Sequence, residues 1–231
     1  SFDDIRKQAL RKWDEALSVI DMKSTDKEIM KVFYTSLYHA MIMPTNFTDV
    51  NGEYLGFDKK VHTADDYIYR SDMSLWDTCR NAHSLYTLIA PEIQTDCLKS
   101  LVEMAEAGGA LPRWPMGAGY AGSMLGDPAN IVITESYLKG FTDFDVQTAY
   151  AYMKKSSQVK ETKVGRYYVD LYNQYGYVPN DLASADESVA RTIEYSWEDG
   201  AIALLAEALG YEEDAKTYYD KSMYYKNTFN P

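Results

Sequence analysis

The chain is short of cysteine, histidine, basic charge and long apolar runs, and each shortage removes a class of protein. Two cysteines, Cys79 and Cys97, are too few to staple a disulfide framework. Both fall in helical stretches, where buried free thiols are expected. Of the three histidines, His39 and His83 have no metal-ligand spacing around them, so each is expected to be a satisfied core residue. Lys and Arg total 23 against 35 Asp and Glu, giving a net charge of −12 and a pI near 4.7. No basic stripe can displace counterions from phosphate, so nucleic acid is excluded as a partner. No run reaches the roughly 18 apolar residues of a membrane span. The first residues lack the charged and apolar regions of a signal peptide. No fixed-period repeat marks a solenoid array, and no Asp-rich diphosphate motif supports an isoprenoid-cyclase reading.

What is present is helical material. At 231 residues and 46% hydrophobic content there is ample core for one domain, taken as residues 1–231. Apolar residues recur at helical spacing from Phe2 to Ile20, and again from a cap at Ser24 or Thr25, with Glu28 closing a capping box, to Pro44. Residues 45–71 read as irregular, with Asn51-Gly52 turning between two short extended pieces. Helices follow from about Met73 to Leu88, Pro91 to Ala107 (stopped by Gly108-Gly109), Ala129 to Lys139 and Asp145 to Lys155. Residues 160–184 are an irregular, Tyr-rich excursion. Ser188–Leu209 and Glu212–Phe229 complete about eight helices. No βαβ alternation occurs. The class is all-α, with antiparallel helix pairs, long loops and short strand pieces, in the manner of a solenoid or an α/α toroid.

Four segments are richer than a scaffold needs: Trp76-Asp77-Thr78-Cys79-Arg80, Leu111-Pro112-Arg113-Trp114 with its Gly-rich tail, Arg191 to Asp199, and Asn46 to Asp58. At 3.6 residues per turn, Trp76, Arg80 and His83 share one helix face with Asp77 beside it. An indole next to a carboxylate and a guanidinium can grip a sugar, the ring stacking on the apolar C–H face and the charges taking hydroxyls. The same spacing also describes a half-buried Trp beside a structural Asp–Arg pair. The 21 tyrosines fit either a polyhydroxylated ligand or a core.

Several blocks, in order, resemble glycoside hydrolase family 92, the calcium-dependent exo-acting α-mannosidases. They are FYTSLYHAMIMPTNFTDVNGEYLGFD, SLWDTCRNAHSLYTLIAPE, LPRWPMGAGYAGSMLGDPA, YLKGFTDFD, RTIEYSWEDGAIALLAEALG and the closing YKNTFNP. The resemblance implies part of an (α/α)6 catalytic domain, incomplete here because the family's β-sandwich domain and its downstream aspartate block are absent from the sequence. It implies inversion by an acid and a base roughly 6.5–9.5 Å apart, and a Ca2+ ion on the terminal mannose. Trp76 and Asp77 match the family's sugar-binding pair. Glu194 matches the Glu near sugar and calcium, although it could instead pair with Arg191 at i−3. Arg80 is expected to orient Asp77, Trp114 to line the substrate site, and Asp199 is a weaker candidate that could be merely solvated.

One position departs from the pattern. Where many members carry the general acid, six residues after the Trp of the LP-x-W block, this chain has Tyr120. A phenol, with a pKa near 10, is a poor proton donor at neutral pH. Altered leaving-group preference is the implied consequence, mannosyl phosphate diesters being an example that needs little protonation. The other reading is a non-catalytic carbohydrate-binding or scaffold module. Mannose-containing glycans are the expected partners, a secreted or periplasmic address is implied by the family, and an open barrel favours self-association.

Overall fold

Ser1 starts the first helix by accepting the Asp4 backbone N–H, while the Asp4 carboxylate takes the Ser1 amine at 3.0 Å. This computed structural model describes residues 1–158, 164–183 and 187–229. The first few positions of the 160–184 excursion, its last residue and the closing Asn230-Pro231 lie outside them. The chain read as one domain divides into two compact units, Ser1–Pro44 and Thr45–Pro231.

The first unit is a helical hairpin of α1 (Phe2–Leu17) and α2 (Lys27–Ile42). Trp13 meets Tyr38 edge-on at 4.5 Å, and the Tyr34 hydroxyl ties the connection by donating to the Ile20 carbonyl and accepting from Met22 N–H. The cap of α2 is Asp26, not Ser24 or Thr25. Its carboxylate accepts from the Glu28 and Ile29 amides, and the Ser24 hydroxyl is used one step earlier, holding the Asp26 amide.

The second unit opens with strands β1 (Thr45–Asn46), β2 (Glu53–Leu55), β3 (Val61–Thr63) and β4 (Arg70–Ser71). Gly52, at φ +85°, makes the expected tight turn, its amide bonding the Asp49 carbonyl. The two extended pieces then pair elsewhere, β2 with β3 and β1 with β4, all antiparallel. Helices follow: α3 (Leu75–Thr78), α4 (Ala82–Ile89), α5 (Pro91–Gly108), α6 (Ala129–Leu138) and α7 (Val146–Ser156). Beyond them come α8 (Val169–Tyr175), α9 (Asn180–Ala183), α10 (Ser188–Leu209), α11 (Glu212–Ser222) and a 3-10 turn over Met223–Thr228. The all-α class holds, with strands confined to short loop pieces.

The stretch expected as one helix from Met73 to Leu88 is two. Asn81, at φ −159° and ψ −30°, breaks it, and Arg80 lies in the turn between α3 and α4. The shared face of Trp76, Arg80 and His83 therefore does not form. His83 instead turns into the core. Its Nδ1 meets Gln94 Oε1 at 2.9 Å, and Gln94 donates to Ser136, so α4, α5 and α6 are laced together. Burial pushes the His83 imidazole down to about 4, which keeps it neutral.

Helix α5 is the spine of the core. Cys97, Leu98, Leu101 and Met104 are fully buried among Ile133 of α6, Met153 of α7 and Ile202 and Leu205 of α10. Both cysteines are free and buried, and burial raises each thiol to about 12. The other side of α5 fixes the approach to the candidate site. Asp96 accepts from Ile68 N–H and Arg70 Nε, and the Ser100 hydroxyl accepts the Arg70 amide, so β4 and the residues just before it hang from α5.

Candidate active site

The Gly-rich tail of the Leu-Pro-Arg-Trp block folds as a small hairpin. Ala121 N–H donates to the Trp114 carbonyl at 3.0 Å, Met116 N–H to the Gly119 carbonyl, and Gly117 sits at the tip. The tip is moored to the segment that leads into Trp76. The Ser71 hydroxyl donates to the Gly117 carbonyl at 2.6 Å and the Asp72 carboxylate accepts the Gly117 amide at 2.9 Å. Lys59, from the β2–β3 turn, donates to the Ala118 carbonyl. Trp114 is half-buried at the base of this hairpin.

Trp76 and Glu194 are joined through Arg80. The Arg80 guanidinium lies over the Trp76 indole, 4.6 Å from its centroid, and donates from Nη2 to Glu194 Oε1 at 2.8 Å. The same guanidinium is 5.4 Å from the Trp197 indole, one turn further along α10. Arg80 thus pairs with Glu194 rather than orienting Asp77. The Asp77 carboxylate is exposed and accepts from the Ser74 hydroxyl three residues back. The alternative partner for Glu194 is also occupied, since Arg191 pairs with Glu187 at 3.5 Å and lies over the Tyr167 ring. Among the described residues, Trp76 Nε1 and Glu194 Oε2 at this junction are buried without a hydrogen-bond partner. An orphan donor and an orphan acceptor beside one guanidinium suit a hydroxylated ligand, which can both accept from the indole and donate to the carboxylate.

Tyr120 does not present a free phenol. Its hydroxyl donates to the Ala110 carbonyl at 2.6 Å and its ring meets Phe57 edge-on at 4.7 Å. Arg113 is buried and structural, giving its donors to the carbonyls of Met124, Gly126 and Gly165.

Asp199 is not solvated. It belongs to a fully buried charge cluster that sequence reasoning missed. Arg166 sits at its centre, with Nε 2.8 Å from Asp127 Oδ1 and Nη1 2.6 Å from Asp199 Oδ1. The Tyr172 hydroxyl donates to Asp199, Asn130 donates to Asp127, and the Asp127 amide donates to Glu198 Oε1 at 2.7 Å. Burial pushes the Asp127 carboxyl up, but the Arg166 charge and the hydrogen bonds outweigh it and leave it below the usual range. Burial and the charge of Asp127 hold Glu198 well above that range. Burial also raises Asp199, against the pull of Arg166. The clues were an arginine and three acids set next to glycines or within otherwise apolar blocks: Gly126-Asp127, Gly165-Arg166, Glu198-Asp199-Gly200.

A cavity of about 1020 Å³ runs beside the site between α10, α6 and α11, lined by Arg80, Thr134, Glu135, Ile193, Trp197 and Leu204 among others. For a calcium ion the fit is partial. Glu194 Oε2 is a buried carboxylate oxygen free to ligate. Among the described residues no group of three or more His, Cys, Asp or Glu side chains is arranged to hold a metal ion, and Ca2+ takes about 6–8 oxygens.

The whole chain is similar to known proteins. A curated relative, an uncharacterized secreted glycosidase of Arthroderma benhamiae, is 24% identical over 99% of this chain and 26% of its own length. Among solved structures, a family GH92 α-mannosidase from Bacteroides thetaiotaomicron is 29% identical with a TM-score of 0.91, covered over 100% of this chain and 30% of that one. A GH92 inverting mannosidase from the same organism, strain VPI-5482, gives 29% and 0.92, over 99% and 31%. The chain therefore spans about a quarter to a third of the relatives it matches. Its helices correspond to part of an (α/α)6-type domain. The model of the glycosyl hydrolase family 92 catalytic domain matches residues 1–231, and the chain belongs to that family.

Proposed function

We propose that this chain carries part of the terminal-mannose subsite of an exo-acting α-mannosidase that hydrolyses terminal α-mannosides of glycans, such as α-1,2-linked ones, with inversion. The observation behind it is the Arg80 bridge, which reaches Glu194 across 114 residues of sequence and brings it together with Trp76. In this reading Trp76 and Asp77 hold the sugar ring and its hydroxyls, Glu194 Oε2 accepts from a hydroxyl or ligates calcium, and Arg80 fixes Glu194. A bound Ca2+ would supply hard positive charge that orients and polarises the sugar hydroxyls. The two B. thetaiotaomicron relatives are mannosidases by name, and a further structure of one holds mannoimidazole. The name of the Arthroderma relative supports a secreted setting.

Tyr120 supports altered leaving-group preference. A hydroxyl whose proton is already donated to a backbone carbonyl does not protonate a glycosidic oxygen, so substrates with acidic leaving groups, a mannosyl phosphate diester for example, are favoured. The same observation supports a second reading, a carbohydrate-binding module without hydrolytic activity. Titration calorimetry with methyl α-mannoside, with and without calcium, tests the subsite. Binding that calcium strengthens and Glu194→Ala abolishes is the expected result, and absence of binding in both conditions rejects the reading. Turnover of a mannosyl phosphate diester by any longer polypeptide that contains this chain separates enzyme from module. The 231-residue chain alone is expected to turn over nothing.

A further inference from the structure

Apart from its 2.8 Å ion pair with Glu194, Arg80 has little of its own to hold it still. It lies in the turn between α3 and α4, its side chain is 40% exposed, and long flexible side chains sample many rotamers unless something packs on them. What packs on it is a pair of indoles from separate segments, Trp76 at 4.6 Å and Trp197 at 5.4 Å. Trp197 follows Glu194 by three residues on α10, so indole and carboxylate reach Arg80 from one helix face. Trp197 is itself 41% exposed, an unusual place for an indole that serves only the core.

We propose that Trp197 is a positioning residue. It holds the Arg80 guanidinium against Trp76, and Arg80 in turn fixes the Glu194 carboxylate with Oε2 free for the ligand; the functional part of this rests on Glu194 serving the sugar subsite. A cation between two aromatic faces gains electrostatic attraction from each and loses rotational freedom. A carboxylate must be held to a fraction of an ångström to select among sugar hydroxyls. The Trp197 ring does not touch the sugar in this assignment.

Two measurements on the full chain decide it. The first is the Arg80 Nε–H resonance in a 1H–15N spectrum, assigned by its loss in Arg80→Lys. It is expected to be sharp in the parent and in Trp197→Phe, and broadened away in Trp197→Leu and Trp197→Ala, with far-UV circular dichroism unchanged. Leucine fills the space without a ring, so it serves if the alanine variant unfolds. An Arg80 resonance untouched in Trp197→Leu overturns the proposal. The second is methyl α-mannoside affinity. Trp197→Leu is expected to weaken it about threefold to tenfold, Trp197→Phe to keep most of it, and Arg80→Ala/Trp197→Leu to bind no worse than Arg80→Ala alone. Additive losses would mean that Trp197 meets the sugar itself and would overturn the proposal. If the parent binds no mannoside, the subsite reading fails, and the Arg80 resonance still decides whether Trp197 positions Arg80.

Discussion

Replacing Arg166 by methionine removes the charge at the centre of the buried cluster while keeping most of the side chain's volume. In the parent, Arg166 is fully buried and contacts Asp127 at 2.8 Å, Asp199 at 2.6 Å and Glu198 at 3.6 Å. Without it, Asp127 and Asp199 are left with hydrogen bonds only from Asn130, Tyr172 and their neighbours, and no countercharge. Removing one partner from such a buried ion group costs about 3–5 kcal/mol. At ~2–4 °C per kcal/mol for a protein of this size, the melting temperature should fall by roughly 6–20 °C. The pH dependence identifies the cause. Arg166 helps hold the Asp127 pKa below its unfolded value, so its contribution is present above about pH 4 and is lost as pH falls through the folded value. Urea unfolding of parent and Arg166→Met at pH 7 and pH 3.5 reads both effects. A penalty below about 1 kcal/mol at pH 7, or one that does not shrink at pH 3.5, refutes the reasoning.

Gly126→Ala puts a Cβ on a residue at φ +73° and drives it into Glu198 Oε1, which is pinned by the Asp127 amide. Left-handed strain and overpacking together cost about 2–5 kcal/mol, readable as a lowered urea midpoint. Glu198→Gln mimics the protonated carboxyl. Because the folded state raises that carboxyl's pKa above its unfolded value, the parent should lose stability as pH rises above about 4.5, and the Gln variant should lack that slope, so parallel stability profiles from pH 5 to 8 would reject the raised pKa. Tyr120→Phe removes the bond to the Ala110 carbonyl and should cost about 1 kcal/mol in chemical unfolding. The exposed Ile193, Leu204 and Tyr219 along α10 and α11 should drive concentration-dependent self-association, seen as a rising weight-average mass in sedimentation equilibrium and reduced by Leu204→Lys.

Much of the helical frame was legible because it is written in local signals. Ser188–Leu209 carries its own period and a terminal Gly210 at φ +81°, and Pro91 and Gly109 bracket α5 in the same way. The break at Asn81 was not, because the apolar spacing of Leu75, Cys79 and Tyr86 runs straight through it. The cap at Asp26 was hidden among three consecutive capping residues. Helices α8 and α9 escaped because they are short and α8 is held by distant partners, Tyr172 reaching Asp199 across 27 positions. The convergence of Trp76 and Glu194 was legible only through the family resemblance. The Arg166 cluster pairs residues 33 and 39 positions apart in a chain with 23 basic and 35 acidic residues, and no local spacing picks out those partners.

The buried cluster and the candidate site are two ends of one mechanical element. Glu194, Trp197, Glu198 and Asp199 lie within about two turns of α10, and the last two are locked into the core by Asp127, Arg166 and Tyr172. A helix anchored by charged contacts on one face cannot rotate or slide without leaving a carboxyl unpaired, a far larger penalty than the slippage of apolar contacts. That fixes the azimuth of α10, and with it the direction in which Glu194 and Trp197 leave the helix toward Arg80. Damage to the cluster should therefore reach the site with the fold still in place. A mild lesion, Asp127→Asn, should broaden the Arg80 Nε–H resonance and weaken mannoside binding at temperatures well below unfolding. A variant that loses stability while that resonance stays sharp would show that the core cluster and the turn of α10 that carries Glu194 and Trp197 are independent.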